Sequence, residues 1–220
     1  MKKINIKETA YRVVILLIGL IIAHFGVTLF LLANLGSDPF NVMIQGLYRM
    51  VESVSFLTHG RVHLIISFLI IIVLLFVDRS YVKIGTLVCM FCGGPIIDFF
   101  TLILNPLFAG DVSLVVKIIV NVIGCGILAY GMTIVIKSDA GTGPNDLVAI
   151  VISDKTHVRF SIMRIIVDVC YAGIGFALGG QLGIGTVICA FVVGPVAGIF
   201  LPVNEKLINH ILGRLLPSKE

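Results

Sequence analysis

Residues 13–33 form a run of 21 in which His24 is the sole ionisable side chain. A helix of roughly 17–25 residues crosses the hydrocarbon core of a bilayer, where every backbone polar group must be satisfied within the protein. This run therefore commits the chain to lipid. Composition agrees, because 58% of the 220 residues are hydrophobic and 13% are charged, against about 25% charged in a soluble domain. The run is long for the apolar part of a cleaved signal peptide, lacks a clear small-x-small site, and is followed by further apolar runs. Lys2, Lys3, Lys7 and Arg12 precede it, which predicts a cytoplasmic N-terminus. The net charge of +4 then reports topology and contact with anionic lipid, and no nucleic-acid partner is expected.

Further apolar runs lie at 62–77, about 84–104, about 112–136, about 160–178 and about 182–200, with Pro202 expected to end the last. Between the first two lie Asn34-Leu35-Gly36-Ser37-Asp38-Pro39 and a short helical stretch, about 40–53. The matching interval after the fourth run holds Asp139-Ala140-Gly141-Thr142-Gly143-Pro144 and a short helix, about 145–153. All five cysteines (Cys89, Cys92, Cys125, Cys170 and Cys189) sit in apolar segments. Cys89 and Cys92 have no companion ligands, so they read as packing residues, and neither a metal nor a cofactor is expected.

The two intervals belong to a longer pattern. Gly19, Gly26, Thr28, Gly36 and Pro39 recur 105 residues later as Gly124, Gly131, Thr133, Gly141 and Pro144. Ile84-Gly85-Thr86, Cys89 and Gly94-Pro95 recur 100 residues later as Ile184-Gly185-Thr186, Cys189 and Gly194-Pro195. The expectation is an internal duplication, residues 1–108 and 109–220, forming one membrane domain. If neither short helix crosses the bilayer, each copy has three spans and the second copy is inverted. That arrangement gathers Arg79, Lys83, Lys137, Lys155, Arg159, Lys206, Arg214 and Lys219 on the side of the N-terminal lysines, leaving Arg49 and Arg61 in outer loops. If both short helices cross, the copies run parallel and Arg79, Lys83 and Lys137 lie outside. The positive-inside rule favours the first. The fold expected is thus an all-α polytopic membrane protein of six transmembrane helices and two short re-entrant or interfacial ones, with both termini cytoplasmic.

Asp38-Pro39 and Gly143-Pro144 read as helix starts. Proline suits the first turn because its missing N–H would have no intrahelical partner, Asp38 or Thr142 is placed to cap the free amides, and Gly36, Gly141 and Gly143 permit a sharp reversal. Helices that start inside the membrane turn their amides and partial positive field toward a cavity. Paired interrupted segments in corresponding halves are the best sequence pointer to a transporter's site. The plainer reading is two interfacial turns. The first copy offers Asp38 and Asn41, and the second Asp139, Asn145 and Asp146.

Arg164 and Asp168 share one face of an apolar run at i,i+4, where charges are expensive and usually face protein or water. Arg164 is a candidate ligand for an anionic group, with Asp168 holding it or relaying a proton. A salt bridge joining two helices, or an Arg164 that snorkels to the interface, is the alternative. Their counterparts in the first copy are His63 and Ser67. Asp98, beyond Gly93-Gly94-Pro95, is a further pathway candidate, and its counterpart is Gly198. Asn121 is also a pathway candidate, with an interhelical hydrogen bond as its plainer reading, and His24 is a weak candidate whose simpler account is a neutral buried histidine. No HExxH, GxSxG or phosphate-loop pattern is present and extramembrane segments are short, so no enzymatic activity is expected.

Leu35-Gly36-Ser37-Asp38-Pro39-Phe40 and Ala140-Gly141-Thr142-Gly143-Pro144-Asn145-Asp146, with the repeated Ile-Gly-Thr and Gly-Pro landmarks, resemble the motifs of the YitT/YczE-like bacterial integral membrane proteins. The resemblance spans nearly the whole chain and implies a bacterial cell-membrane protein, a transporter or an accessory of other membrane proteins. The aromatic after the motif proline is Phe40 in the first copy but Asn145 in the second, so the site it implies is not symmetric. Two functions follow as expectations. One is a small-solute or ion transporter for a polar or anionic solute; the other is a non-transporting partner that stabilises a membrane complex or pairs with its own copy.

Overall fold

The computed structural model describes residues 6–36, 38–51, 57, 59–108, 110 and 112–216, without the side chains of 59–61 and 98. Among them the chain is helical throughout, as α1 (Ile6–Ala33), α2 (Pro39–Met50), α3 (His59–Val77), α4 (Ile84–Leu104), α5 (Leu114–Lys137), α6 (Pro144–Thr156), α7 (Phe160–Ala177) and α8 (Ile184–Leu215). Short 3-10 turns, Arg79–Tyr81 and Asn105–Phe108, flank α4. Among the described residues, five helices are long and apolar enough to cross a membrane: α1, α4 with its 3-10 extension, α5, α7 and α8. The described apolar part of α3, Val62–Val77, is shorter. Phe68, Phe76, Leu102 and Ile199 are among many large apolar side chains left exposed. Apolar surface on that scale marks contact with lipid, and the chain is an all-α, multi-pass membrane protein.

The most extensive helix contact joins α1 to α5. They run antiparallel, with Gly26 against Gly124 and Gly19 against Gly131. A Cβ on Gly26 would strike the backbone of Gly124 and Leu128, so these glycines permit the close crossing. Around this pair, α8 packs on α5, α4 on α1, and α7 on α2, α6 and α8. The connections are held by backbone hydrogen bonds. Gly85 N–H donates to the Ala140 carbonyl at 2.8 Å, and Gly185 N–H to the Leu35 carbonyl at 2.9 Å.

Both short helices are entered through the same backbone turn. Asn34 (φ 52°) and Asp139 (φ 59°) leave α1 and α5 in the left-handed conformation, followed by Gly36 at φ 126° and Gly141 at φ 135°. Those last two angles are open only to glycine at little cost. Asp38 caps α2, accepting from the Asn41 amide at 3.2 Å, and Pro39 takes the first helical position. For α6 the expected cap is not used. Gly143 stands at the N-cap, and the Thr142 hydroxyl is buried without a hydrogen-bond partner among the described residues.

The end of the last span also differs from expectation. α8 continues through Pro195 and Pro202 to Leu215. A proline denies the helix one hydrogen bond and crowds the preceding turn, but the segment beyond Pro202 has strong tertiary anchors. Ile208 and Leu212 are buried with Ile134 of α5. Asn204 donates to Thr133 Oγ1 at 2.6 Å, and Lys137 pairs with Glu205 at 2.8 Å. Packing overrides the local signal.

Candidate functional site

A cavity of about 340 Å³ lies where the starts of α2 and α6 approach each other. Asp38, Phe40 and Asn41 line it from the first, and Gly143, Pro144, Asn145 and Asp146 from the second. Arg164 of α7 closes one side, with His24 of α1, His63 and Ser67 of α3, and Cys89 of α4 on the others. Each short helix thus brings its first turn, where amides lack intrahelical acceptors, to the same space.

Arg164 is the electrostatic centre. It is 6% exposed, and its Nε donates to Asp168 Oδ2 at 2.8 Å. Its Nη1 pairs with Asp146 Oδ1, which also accepts from Asn145 Nδ2 at 2.8 Å. Asp168 is 1% exposed, and its other oxygen has no partner among the described residues. The guanidinium therefore bridges α7 to the start of α6. Charge-assisted pairs of this kind are strong when water is excluded. Across the cavity, Asp38 accepts from Asn41 Nδ2 at 2.5 Å.

The arrangement gathers Arg164, Asp38, Asn41, Asn145 and Asp146 at one cavity, with Asp168 directly behind Arg164. It does not gather Asp139, which is exposed and pairs with Lys83 and, at 3.7 Å, with Arg12. Asn121 is also elsewhere. It is fully buried, receives the Cys125 thiol at 3.9 Å, and abuts Gly185, where a Cβ would strike its Nδ2. The side chain of Asp98 lies outside the described residues. Gly36 and Gly141 shape the approaches to α2 and α6, while Pro39 and Pro144 occupy their first positions.

Three lining residues, His63, Ser67 and Cys89, are not site candidates in the sequence; His63 and Ser67 appear there only as the expected counterparts of Arg164 and Asp168, and Cys89 as a packing residue. His24 is a weak candidate there, read as a buried neutral ring. Here His24 Nδ1 lies 2.8 Å from the Leu20 carbonyl, while Nε2 faces Gly93, whose missing Cβ leaves it room. Among the described residues, no group of three or more His, Cys, Asp and Glu side chains is arranged to hold a metal ion.

A family of unknown function, DUF6198, matches residues 10–202. The chain is 30% identical over 197 residues to the uncharacterized membrane protein YczE of Bacillus subtilis (strain 168), covering 89% of this chain and 88% of that one. It is 28% identical over 197 residues to an uncharacterized protein of Haemophilus influenzae, covering 88% and 84%. It is 25% identical over 198 residues to the uncharacterized protein YyaS of Bacillus subtilis, covering 90% and 94%. No solved structure matches it significantly. A multi-pass helical chain whose likeness to these proteins covers nearly its full length belongs to the DUF6198 family of YczE/YyaS-like bacterial membrane proteins.

Proposed function

We propose that the protein is a carrier, rather than an enzyme, that moves a small polar solute or ion across the bacterial cell membrane. The observation behind this is the convergence of the α2 and α6 starts with Arg164 on one cavity. Helix starts at membrane depth are tolerated where they line protein or a water-filled space, and carriers use them to hold substrates near the midplane. In this reading residues 1–108 and 109–220 are inverted copies, each with three spans and one re-entrant helix, and both termini are cytoplasmic.

Paired contacts support the inversion. Adding 105 to Leu35 gives Ala140, and adding 100 to Gly85 gives Gly185, so the hydrogen bonds Gly85–Ala140 and Gly185–Leu35 exchange under the two offsets. The Gly26–Gly124 and Gly19–Gly131 contacts exchange in the same way, because 19 + 105 is 124 and 26 + 105 is 131. Thr86 and Thr186 each accept the amide three residues earlier, at 3.4 Å in both cases. An axis relating two antiparallel halves produces such a pattern, and alternating access by rocking one half against the other follows from it.

The test is counterflow in proteoliposomes, preceded by a thermal-shift screen of small solutes. A solute present at a hundred times its dissociation constant adds about 2.7 kcal/mol of stability. Flux should be lost in Arg164→Gln, which breaks the bridge holding the start of α6 to α7. A chain that answers no solute and copurifies stoichiometrically with another membrane protein would instead be an accessory subunit.

A further inference from the structure

We infer that the guest of this cavity is a small organic ammonium cation and not an anion, an inference that rests on the carrier reading above. Arg164 invites the opposite conclusion until its partners are counted. Nε is taken by Asp168 and Nη1 by Asp146. Asp38 also lines the cavity and pairs with no lysine or arginine among the described residues. One guanidinium therefore faces three carboxylates, Asp38, Asp146 and Asp168, a formal excess of two negative charges.

The starts of α2 and α6 offset part of this, at about half a positive charge each. About one negative charge remains in a space walled by apolar helices. Unbalanced charge at membrane depth is costly, so the cavity is complementary to a cation. An anion could reach only the Nη2 group of Arg164, beside the carboxylate that Asp146 already places on Nη1, and would face the excess negative charge there.

Two further features select the chemical class. The volume of about 340 Å³ exceeds what a bare ion fills and lies near the lower bound of small-molecule sites, about 300 Å³. Phe40 is among the lining residues, its ring packed in T-shaped contacts with His63 and Tyr171 at 5.4 and 5.3 Å between centroids. Carboxylates beside an aromatic face form the usual receptor for ammonium groups. A proton on His24 or His63, both of which line the cavity, is the competing counter-charge.

The decisive measurement is the charge-displacement current of proteoliposomes on a solid-supported membrane. The probes are concentration jumps of ethylammonium and tetramethylammonium, then acetate and phosphate, at fixed pH, with pH jumps run separately. The expected result is a saturable current of positive sign with the ammonium ions and none with the anions. Asp38→Asn is the informative variant because asparagine still caps α2 while the charge is gone. It should raise the half-saturating ammonium concentration about tenfold or more.

A saturable response to acetate or phosphate, or flux of neutral solutes alone, overturns the cation inference and leaves the carrier reading standing. A response to pH jumps without one to ammonium overturns it in favour of protons. An Asp38→Asn response equal to the native one also overturns it. Silence toward every probe and every screened solute, from protein with its native melting point, removes the carrier reading and this inference together.

Discussion

Arg164→Met should be the most destabilising exchange of a single side chain in the cavity. The native guanidinium is 6% exposed and holds Asp168, which is 1% exposed, at 2.8 Å and Asp146 through Nη1. Methionine fills much of the same volume, so the loss is one of charge and hydrogen bonding more than of packing. Removing one member of a buried ion pair costs about 3–5 kcal/mol, because the remaining charge stays desolvated. Asp168 carries most of that cost, since Asp146 opens onto the cavity and can be solvated there. Each kcal/mol moves the melting temperature of a chain this size by about 2–4 °C, so a drop of roughly 6–20 °C is expected. Melts of detergent-solubilised protein, followed by size-exclusion recovery, read this directly. Adding Asp168→Asn to Arg164→Met should recover more than half of the drop by removing the stranded charge. If Arg164→Met melts within about 2 °C of the native chain, or Asp168→Asn worsens it, Arg164 reaches water and the desolvation argument is wrong.

At the α1–α5 crossing, Gly26→Ala should cost about 1–3 kcal/mol, since its Cβ meets backbone that cannot swing away. Gly126→Ala, with nothing within 4 Å, should melt like the native chain. Asn204→Ala should lower stability by about 0.6–1.7 kcal/mol through loss of the bond to Thr133, and a neutral result would mean that Pro202 already uncouples the end of α8. In a cysteine-free background, an impermeant maleimide applied to intact cells should label Gln181→Cys but not Asp139→Cys. Labelling of both from outside would mean parallel copies. Gln45→Cys with Gln181→Cys, placed where the Gln181 amide meets Gln45 Oε1 at 2.7 Å, should stop flux when oxidised and restore it when reduced. Full flux in the cross-linked protein would show that α2 and α7 need not separate.

The long apolar helices were legible because lipid demands sustained apolar runs: residues 13–33 supply one with no competing signal, and 84–104 and 112–136 remain apolar enough despite Gly93-Gly94-Pro95 with Asp98, and Lys117 with Asn121. The Arg164–Asp168 pair was legible because i,i+4 spacing fixes a face whatever the helix packs on. Its third member was not. Asp146 sits on another helix, delivered by a reversal at His157 (φ 56°), and nothing local to α7 encodes that neighbour. Asn121 shows the converse: a polar residue in an apolar run looks functional, yet its position is set by the space that Gly185 leaves. Pro202 misled because a proline announces its local cost but not the contacts of Asn204, Ile208 and Leu212 that offset it. The sign of the cavity's charge was hidden for the same reason, since a lone arginine suggests an anion until its carboxylates are placed.

The two short helices also meet their neighbours differently. Gly46 of α2 lies against Gly175 of α7, and a Cβ on either would strike the facing helix. Under the offsets of the expected duplication, 46 + 105 gives Val151 of α6, and 175 − 101, the offset that pairs Arg164 with His63, gives Leu74 of α3. Those two side chains are buried together with Leu147. Where glycines let one pair of helices close, valine and leucine hold the other pair apart, beside an apolar groove of about 510 Å³ between α3 and α6. Two inverted copies of identical sequence would give both sides the same closing distance. This chain instead closes α2 on α7 backbone to backbone, with Arg49 bonded to the Gly179 carbonyl, and leaves α6 resting on apolar side chains of α3. The difference between Gly46 and Val151 therefore decides how closely each short helix approaches its neighbour: the glycine admits backbone contact, and the valine keeps a layer of side chains between.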